Sequence, residues 1–199
     1  MNFIDNAHVS RFHKARISEY GAGTAAALGW KSEQRQHIRF ETLAQIGDLE
    51  NTSVLDAGCG HGDLKGFLDT RFNTFRYAGI DMMEEFLDVA TARYGNLPDT
   101  KFYLGDCSSG NLPYMDYVLC SGMLSYRSSE ADYVFTMIAK LFGSCRIGLG
   151  FNLLSQIDVD GIVVAYAPDK IIDYCNELAS KVILNKGYID DDFTIFMYH

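Results

Sequence analysis

Val54-Leu55-Asp56-Ala57-Gly58-Cys59-Gly60-His61-Gly62-Asp63-Leu64 decides how the rest of the chain is read. Two apolar residues end in an acid, glycines follow at alternate positions, and a helix-like pattern comes next. That order describes a buried strand, a tight turn stripped of side chains, and a helix start, so that a ligand can lie against the backbone. A dinucleotide-binding turn is the rival. Its third glycine falls one place later, and Asp56 would stand beside two phosphates. An acid here suits an ammonium group instead, and free amides at the helix start suit a carboxylate. A small ligand with both groups is an amino acid.

Outward from the turn, Leu64, Phe67 and Leu68 fall at helical spacing over Asp63–Thr70. Phe75-Arg76-Tyr77-Ala78-Gly79-Ile80-Asp81 reads as a second strand ending in an acid, twenty-one residues beyond Gly60. A carboxylate there is placed to accept both hydroxyls of a ribose. Met83, Phe86, Leu87, Ala90 and Tyr94 mark the next helix, which Gly95 ends. Lys101-Phe102-Tyr103-Leu104-Gly105-Asp106 is a third strand with a third terminal acid. One such acid is weak evidence. Three at matching strand ends point to a polar ligand lying across the carboxyl edge of a parallel sheet.

Val-Leu-Asp-Ala-Gly-Cys-Gly-His-Gly resembles the first motif of class I S-adenosylmethionine-dependent methyltransferases, and the resemblance runs from about Arg39 to the C-terminus. Nearest in kind are small bacterial methyltransferase-domain proteins without an established substrate. The resemblance implies S-adenosyl-L-methionine as cofactor, with Asp56, Gly58, Cys59 and Gly60 around its amino-acid part and Asp81 on its ribose. Met82 and Met83 would lie against the adenine face. Asp106 would accept from the adenine amino group, the backbone amide of Cys107 would donate to the ring, and Ser121 would complete the cofactor side. Arg39, seventeen residues before Asp56, matches an arginine that in some small-molecule methyltransferases reaches the methionine carboxylate. A surface arginine is the plain alternative.

The loop after the fourth strand, within Asp116–Tyr126, faces the transferred methyl in this family. Enzymes that methylate DNA bases or glutamine often carry Asn/Asp-Pro-Pro-Tyr there. Ser121-Gly122-Met123-Leu124 does not match and argues against that reaction class. Trp30, Tyr126 and Asn152 are the candidates on the substrate side, and no residue stands out as catalytic. Among the histidines only His61 has a positional argument, as a turn side chain facing solvent or a lid. His8, His13, His37 and His199 read as incidental.

Phe3, Ile4, Phe12, Ile17, Tyr20 and Trp30 anchor the first 31 residues, and Gly21–Ala27 interrupts any long helix. This segment is either a packing arm or a lid, since lids need hinges and aromatic contact surface. Ser32 and Gly47 would cap a helix over Gln34–Ile46. Further on, Ser129 with Asp132 approximates a capping box for a helix through Leu141, with Gly143 beyond. Arg146–Asn152 is a fifth strand whose two glycines imply close approach. The pattern assigns no element to residues 153–166. Pro168 opens a last helix with Ile171, Ile172, Cys175 and Leu178 on one face. Lys181–Ile189 and Phe193–Tyr198 read as a terminal antiparallel hairpin.

The 199 residues, 48% hydrophobic, fit one domain. The expectation is a single α/β methyltransferase domain over 1–199, with a helical N-terminal extension over 1–47 and a Rossmann-like core over 48–199. Its sheet would be seven-stranded and mostly parallel, with an antiparallel last strand and helices on both faces. Seventeen basic against 26 acidic residues give a net charge of −9, which removes the electrostatic reason to expect a nucleic-acid partner. No apolar run approaches membrane-spanning length, and no export signal is evident. Five scattered cysteines without a CxxC pair disfavour a metal site and fit reduced thiols in a cytoplasm. The expected activity is methyl transfer to an unidentified small molecule, by a monomer or a homodimer. The rivals are a cofactor-binding sensor or subunit without catalysis and, further off, a nicotinamide-dependent oxidoreductase.

Overall fold

The computed structural model of the chain describes residues 1–157 and 161–199. Part of the stretch 153–166, to which the sequence assigned no element, therefore lies outside the described residues. Seven strands form one sheet in the order β3-β2-β1-β4-β5-β7-β6. They are β1 Thr52–Ala57, β2 Phe75–Asp81, β3 Thr100–Leu104, β4 Met115–Cys120, β5 Cys145–Leu154, β6 Lys181–Lys186 and β7 Asp192–Tyr198. All neighbours are parallel except those of β7, which runs antiparallel to both β5 and β6. The expected terminal hairpin is present, with β7 inserted between β5 and β6. Strand order reverses between β1 and β4, and that reversal opens a crevice at the carboxyl edge.

Six α-helices accompany the sheet among the described residues: α1 Phe3–Tyr20, α2 Glu33–Leu43, α3 Asp63–Leu68, α4 Glu84–Tyr94, α5 Tyr133–Phe142 and α6 Pro168–Leu178. On one face Met137, Ile138 and Ile171 of α5 and α6 pack with Leu55, Val118, Leu149 and Phe151 of the strands. On the other, Phe40, Leu43, Leu64 and Leu68 of α2 and α3 pack with Val54, Leu119 and Phe196. The alternation of opposite-facing residues along β1 and β4 feeds both layers, so the sheet is covered twice. None of the described helices is long and apolar enough to cross a membrane.

Several local expectations meet their elements. Ser32 caps α2, its hydroxyl accepting from the Arg35 amide, and Pro168 stands at the start of α6. Helix α2 ends at Leu43, and a 3₁₀ turn over Ala44–Ile46 carries the chain to Gly47. The capping box before α5 is a correction. Helix α5 begins at Tyr133, and Asp132 makes no side-chain cap bond. The Ser129 hydroxyl donates instead to Asp5 of α1, at 3.0 Å, beside the Ser129 amide and the Ser128 hydroxyl, each at 2.9 Å. A buried carboxylate from across the fold outcompetes a local cap because it must find donors.

Candidate functional site

The turn after β1 is built as its glycines require. Gly58 and Gly60 have φ of +78° and +52°, in the left-handed region where a side chain is strained. A Cβ on Gly58 would also stand 2.9 Å from that of Met123. The first three amides of the turn are spent within the protein, ahead of the start of α3 at Asp63. Gly58 and Cys59 both donate to the Ile80 carbonyl, at 2.8 and 3.0 Å, because the parallel register sets Ala57 beside Ile80. The Gly60 amide donates to Asp81 Oδ2 at 2.8 Å.

The three acids stand at neighbouring strand ends around one cavity of about 240 Å³. Asp56, next to last in β1, is 2% exposed and accepts from the Tyr77 hydroxyl at 2.5 Å. Burial drives its pKa up to about 7. The Tyr77 hydrogen bond pulls the other way, and the Asp81 charge adds to the rise. Asp81 accepts from the amides of Gly60 and Met83, at 2.8 and 2.9 Å, but burial outweighs them and its pKa is raised. With the Met82 amide also acting on it, that carboxylate keeps acceptor capacity for a ligand. Asp106 lies just beyond β3. Burial pushes its pKa up, yet the hydroxyl and amide of Ser108 and the side-chain amide of Asn6 outweigh that and hold it low.

The N-terminal segment covers these acids. Asn6, Val9, Phe12 and His13 of α1 and Trp30 line the cavity opposite the sheet. Cys59, Met82, Met83, Cys107, Ser121 and Tyr126 line it as well. Arg39 is buried rather than on the surface. It pairs with Asp192 of β7, its guanidinium lies over the Trp30 ring at 4.8 Å, and its Nε has no hydrogen-bond partner among the described residues. Burial raises the pKa of Asp192 in spite of Arg39. From this pair a polar chain runs inward. Tyr188 donates to Asp192 and contacts the Thr194 hydroxyl at 2.7 Å, and Asn152 donates to Thr194 at 2.6 Å. The Ser121 hydroxyl then donates to Asn152 at 2.9 Å.

Two placements differ from expectation. Asn152 is 1% exposed, spends its side chain on Thr194 and Ser121, and does not reach the cavity wall. His61 does not face solvent. It is fully buried edge-on against Phe86, with both ring nitrogens lacking a partner among the described residues, and burial lowers its pKa to about 4. His13 was passed over as incidental, yet it is 4% exposed and bonded at both nitrogens. Its signal in the sequence was the spacing Asp5, Val9, His13, one stripe of a helix at four-residue steps.

A family described as methyltransferase domain matches residues 54–143. The Mycobacterium tuberculosis protein Rv1506c, named a methyltransferase, is 28% identical over 155 residues, covering 73% of this chain and 92% of its own. Magnesium protoporphyrin IX methyltransferase of Synechocystis PCC 6803, solved with bound S-adenosylhomocysteine, superposes with a TM-score of 0.71 at 14% identity, covering 97% of this chain and 99% of that one. Haemonchus contortus phosphoethanolamine N-methyltransferase 1, in complex with phosphoethanolamine and S-adenosylhomocysteine, gives a TM-score of 0.75 at 14% identity, covering 98% of this chain and 48% of that one.

Proposed function

We propose that the chain is a class I S-adenosylmethionine-dependent methyltransferase that transfers a methyl group to a small molecule in the cytoplasm, where its five buried free cysteines would stay reduced; the methyltransferase-domain match over residues 54–143 and the methyltransferase relatives support this reading. The observation that carries the site assignment is the convergence of Asp56, Asp81 and Asp106 on one cavity beside a left-handed glycine turn. The donor set fits the cofactor's groups. Asp56, buried without a cation, takes the ammonium, and the unpartnered Nε–H of Arg39 takes the carboxylate. Asp81 takes the ribose hydroxyls and Asp106 the adenine amino group. Met82, Met83 and the Cys107 amide flank the ring. Gly58, Cys59 and Gly60 form the bare wall beside the methionine chain, and Ser121 closes the sulfur side.

The sulfonium supplies a good leaving group, so the protein's part is geometry and dryness. Its walls hold acceptor and methyl in line, which is worth several kcal/mol of barrier, roughly 7–11 in the best-oriented cases. Trp30, Phe12, Phe86 and Met123 keep water out while charge is neutralised. Residues 1–31 serve as a lid over the cavity, while α2 of the 1–47 extension stays packed on the sheet. Asn6 on Asp106 and His13 on Tyr126 hold α1 down, at 2.9 and 2.6 Å. Trp30 and Tyr126 face the acceptor.

Calorimetric titration tests the reading. S-adenosylhomocysteine should bind saturably and NADH should not, and the opposite result would return the chain to the oxidoreductases. Labelled S-adenosylmethionine offered with a small-molecule panel separates an enzyme from a sensor or subunit, which would bind and transfer nothing.

A further inference from the structure

His13 and Tyr126 form a buried polar pair on the cavity wall that the roles above leave unused. His13 Nδ1 lies 3.2 Å from the Ala27 carbonyl oxygen, and its Nε2 lies 2.6 Å from the Tyr126 hydroxyl. A carbonyl oxygen only accepts, so Nδ1 carries the proton and Nε2 of the neutral ring keeps a lone pair. Tyr126 therefore donates to His13. Its oxygen retains lone pairs of its own, and both side chains line the cavity alongside Phe12, Trp30 and Met123.

We propose that Tyr126 and His13 are a proton relay serving the methyl acceptor, whose nucleophilic atom is a hydroxyl or amine that must lose a proton and not a carboxylate. Tyr126 is the catalytic residue, touching the nucleophilic atom, and His13 is the positioning residue behind it. This rests on the methyl-transfer reading above. In the step, the acceptor's lone pair forms the bond to the methyl carbon as the carbon–sulfur pair departs onto sulfur. The acceptor's proton passes to the Tyr126 oxygen while the tyrosine's own proton passes to His13 Nε2. A sulfonium charge disappears and an imidazolium charge appears, so charge balances. A carboxylate arrives without a proton and has no use for the pair.

The surroundings keep His13 neutral. Arg16, one helical turn along α1, bonds the Ala26 carbonyl at 2.5 Å. Phe12 and Phe86 pack edge-on against the imidazole, and His61 packs against the same Phe86 ring. Asp81 acts on Tyr126 from β2, and at the surface Lys14 pairs with Glu85 of α4 at 3.4 Å. Burial lowers the pKa of His13, the Ala27 carbonyl opposes that, and Arg16 reinforces it.

The test has a part that needs no acceptor. In the ¹⁵N spectrum of histidine-labelled protein at neutral pH, His13 should be the Nδ1–H tautomer, and an Nε2–H tautomer overturns the relay. Calorimetry with S-adenosylhomocysteine comes next for the wild type and for His13→Gln and Tyr126→Phe. Gln offers Tyr126 an acceptor oxygen but no basic nitrogen. Affinities within about twofold are expected, and failure of the wild type to bind overturns the methyl-donor reading rather than this one. Transfer from labelled S-adenosylmethionine is then measured to phenol, benzylamine and benzoate and to 1-octanol, octylamine and octanoate. Hydroxyl or amine probes should be methylated, kcat should fall by about 10²–10⁴ in each variant, and the acid limb of the kcat profile, read at saturating S-adenosylmethionine so that Asp56 does not contribute, should vanish. Transfer confined to the carboxylates, transfer to none of the six, or unchanged kcat and pH profile in His13→Gln each sinks the proposal.

Discussion

Lowering the pH from 7 to 5 should weaken S-adenosylhomocysteine binding about fifty-fold through Asp56 alone. Burial raises this carboxyl to about 7 in the ligand-free protein, against the Tyr77 hydrogen bond. It is then roughly half ionised at pH 7 and about one-hundredth ionised at pH 5, while an α-ammonium stays charged throughout. The ammonium binds the carboxylate form and pulls its pKa down. Binding at acid pH must therefore expel a proton, at a cost about 2.3 kcal/mol greater at pH 5 than at pH 7. His61, lowered to about 4, titrates below this window, and Asp106 is held ionised by Ser108 and Asn6. Calorimetry in buffers of different ionisation enthalpy reads the proton directly: close to one released per ligand at pH 5–6 and almost none at pH 8. Tyr77→Phe removes the donor that holds the pKa down, so its affinity midpoint should move above pH 7. The same linkage acts on stability with a definite sign. A folded pKa raised above the unfolded value makes this carboxyl's contribution complete below about 4, and it is lost as pH rises through 7. Asp56→Asn should thus melt higher than wild type at pH 8 without ligand, by about 2–4 °C per kcal/mol recovered, while binding more weakly. Flat affinity between pH 5 and 7 with no proton released, or a Tyr77→Phe midpoint below 7, would refute the reasoning.

Asp81→Ala should lose about 1–3 kcal/mol of affinity for S-adenosylhomocysteine through missing charge-assisted hydrogen bonds, read by calorimetry, and unchanged affinity would remove the ribose assignment. Arg39→Ala leaves Asp192 buried without its cation, so urea denaturation should show a loss of about 3–5 kcal/mol, against a smaller loss for Asp192→Asn. Equal losses would mean that the ion pair is not what ties α2 to β7. Gly58→Ala would force a Cβ to 2.9 Å from that of Met123 at a left-handed φ, and should cost about 1–3 kcal/mol of stability in the same assay. A neutral outcome there would mean that the loop holding Met123 gives way freely.

How far the sequence could be read depended on the range of the interactions. The tips of β1 and β2 were legible because a buried parallel strand announces itself as a run of apolar residues, and an acid near the end of such a run stands out at Asp56 and Asp81; Asp106 follows the exposed edge strand β3 and was legible only by matching those two. The cover over the site was not. Helix α1 buries only Asp5, Val9 and His13, two of them polar, so hydrophobic periodicity passes over it. Its partners lie far along the chain: Asn6 meets Asp106 a hundred residues away, and His13 meets Tyr126 at a separation of 113. The capping box failed for the same reason, since Ser129 was drawn to Asp5 across the fold. Arg39 was placed at the cavity by its offset from the motif, but its partner Asp192 sits 153 residues on and leaves no local trace. The residues proposed for the cofactor thus lie mostly on the short-range part of the pattern, and those proposed for the acceptor mostly on the long-range part. Chains that share the glycine turn and its acids should therefore share the methyl donor, while their acceptors diverge with whatever helix closes over the edge.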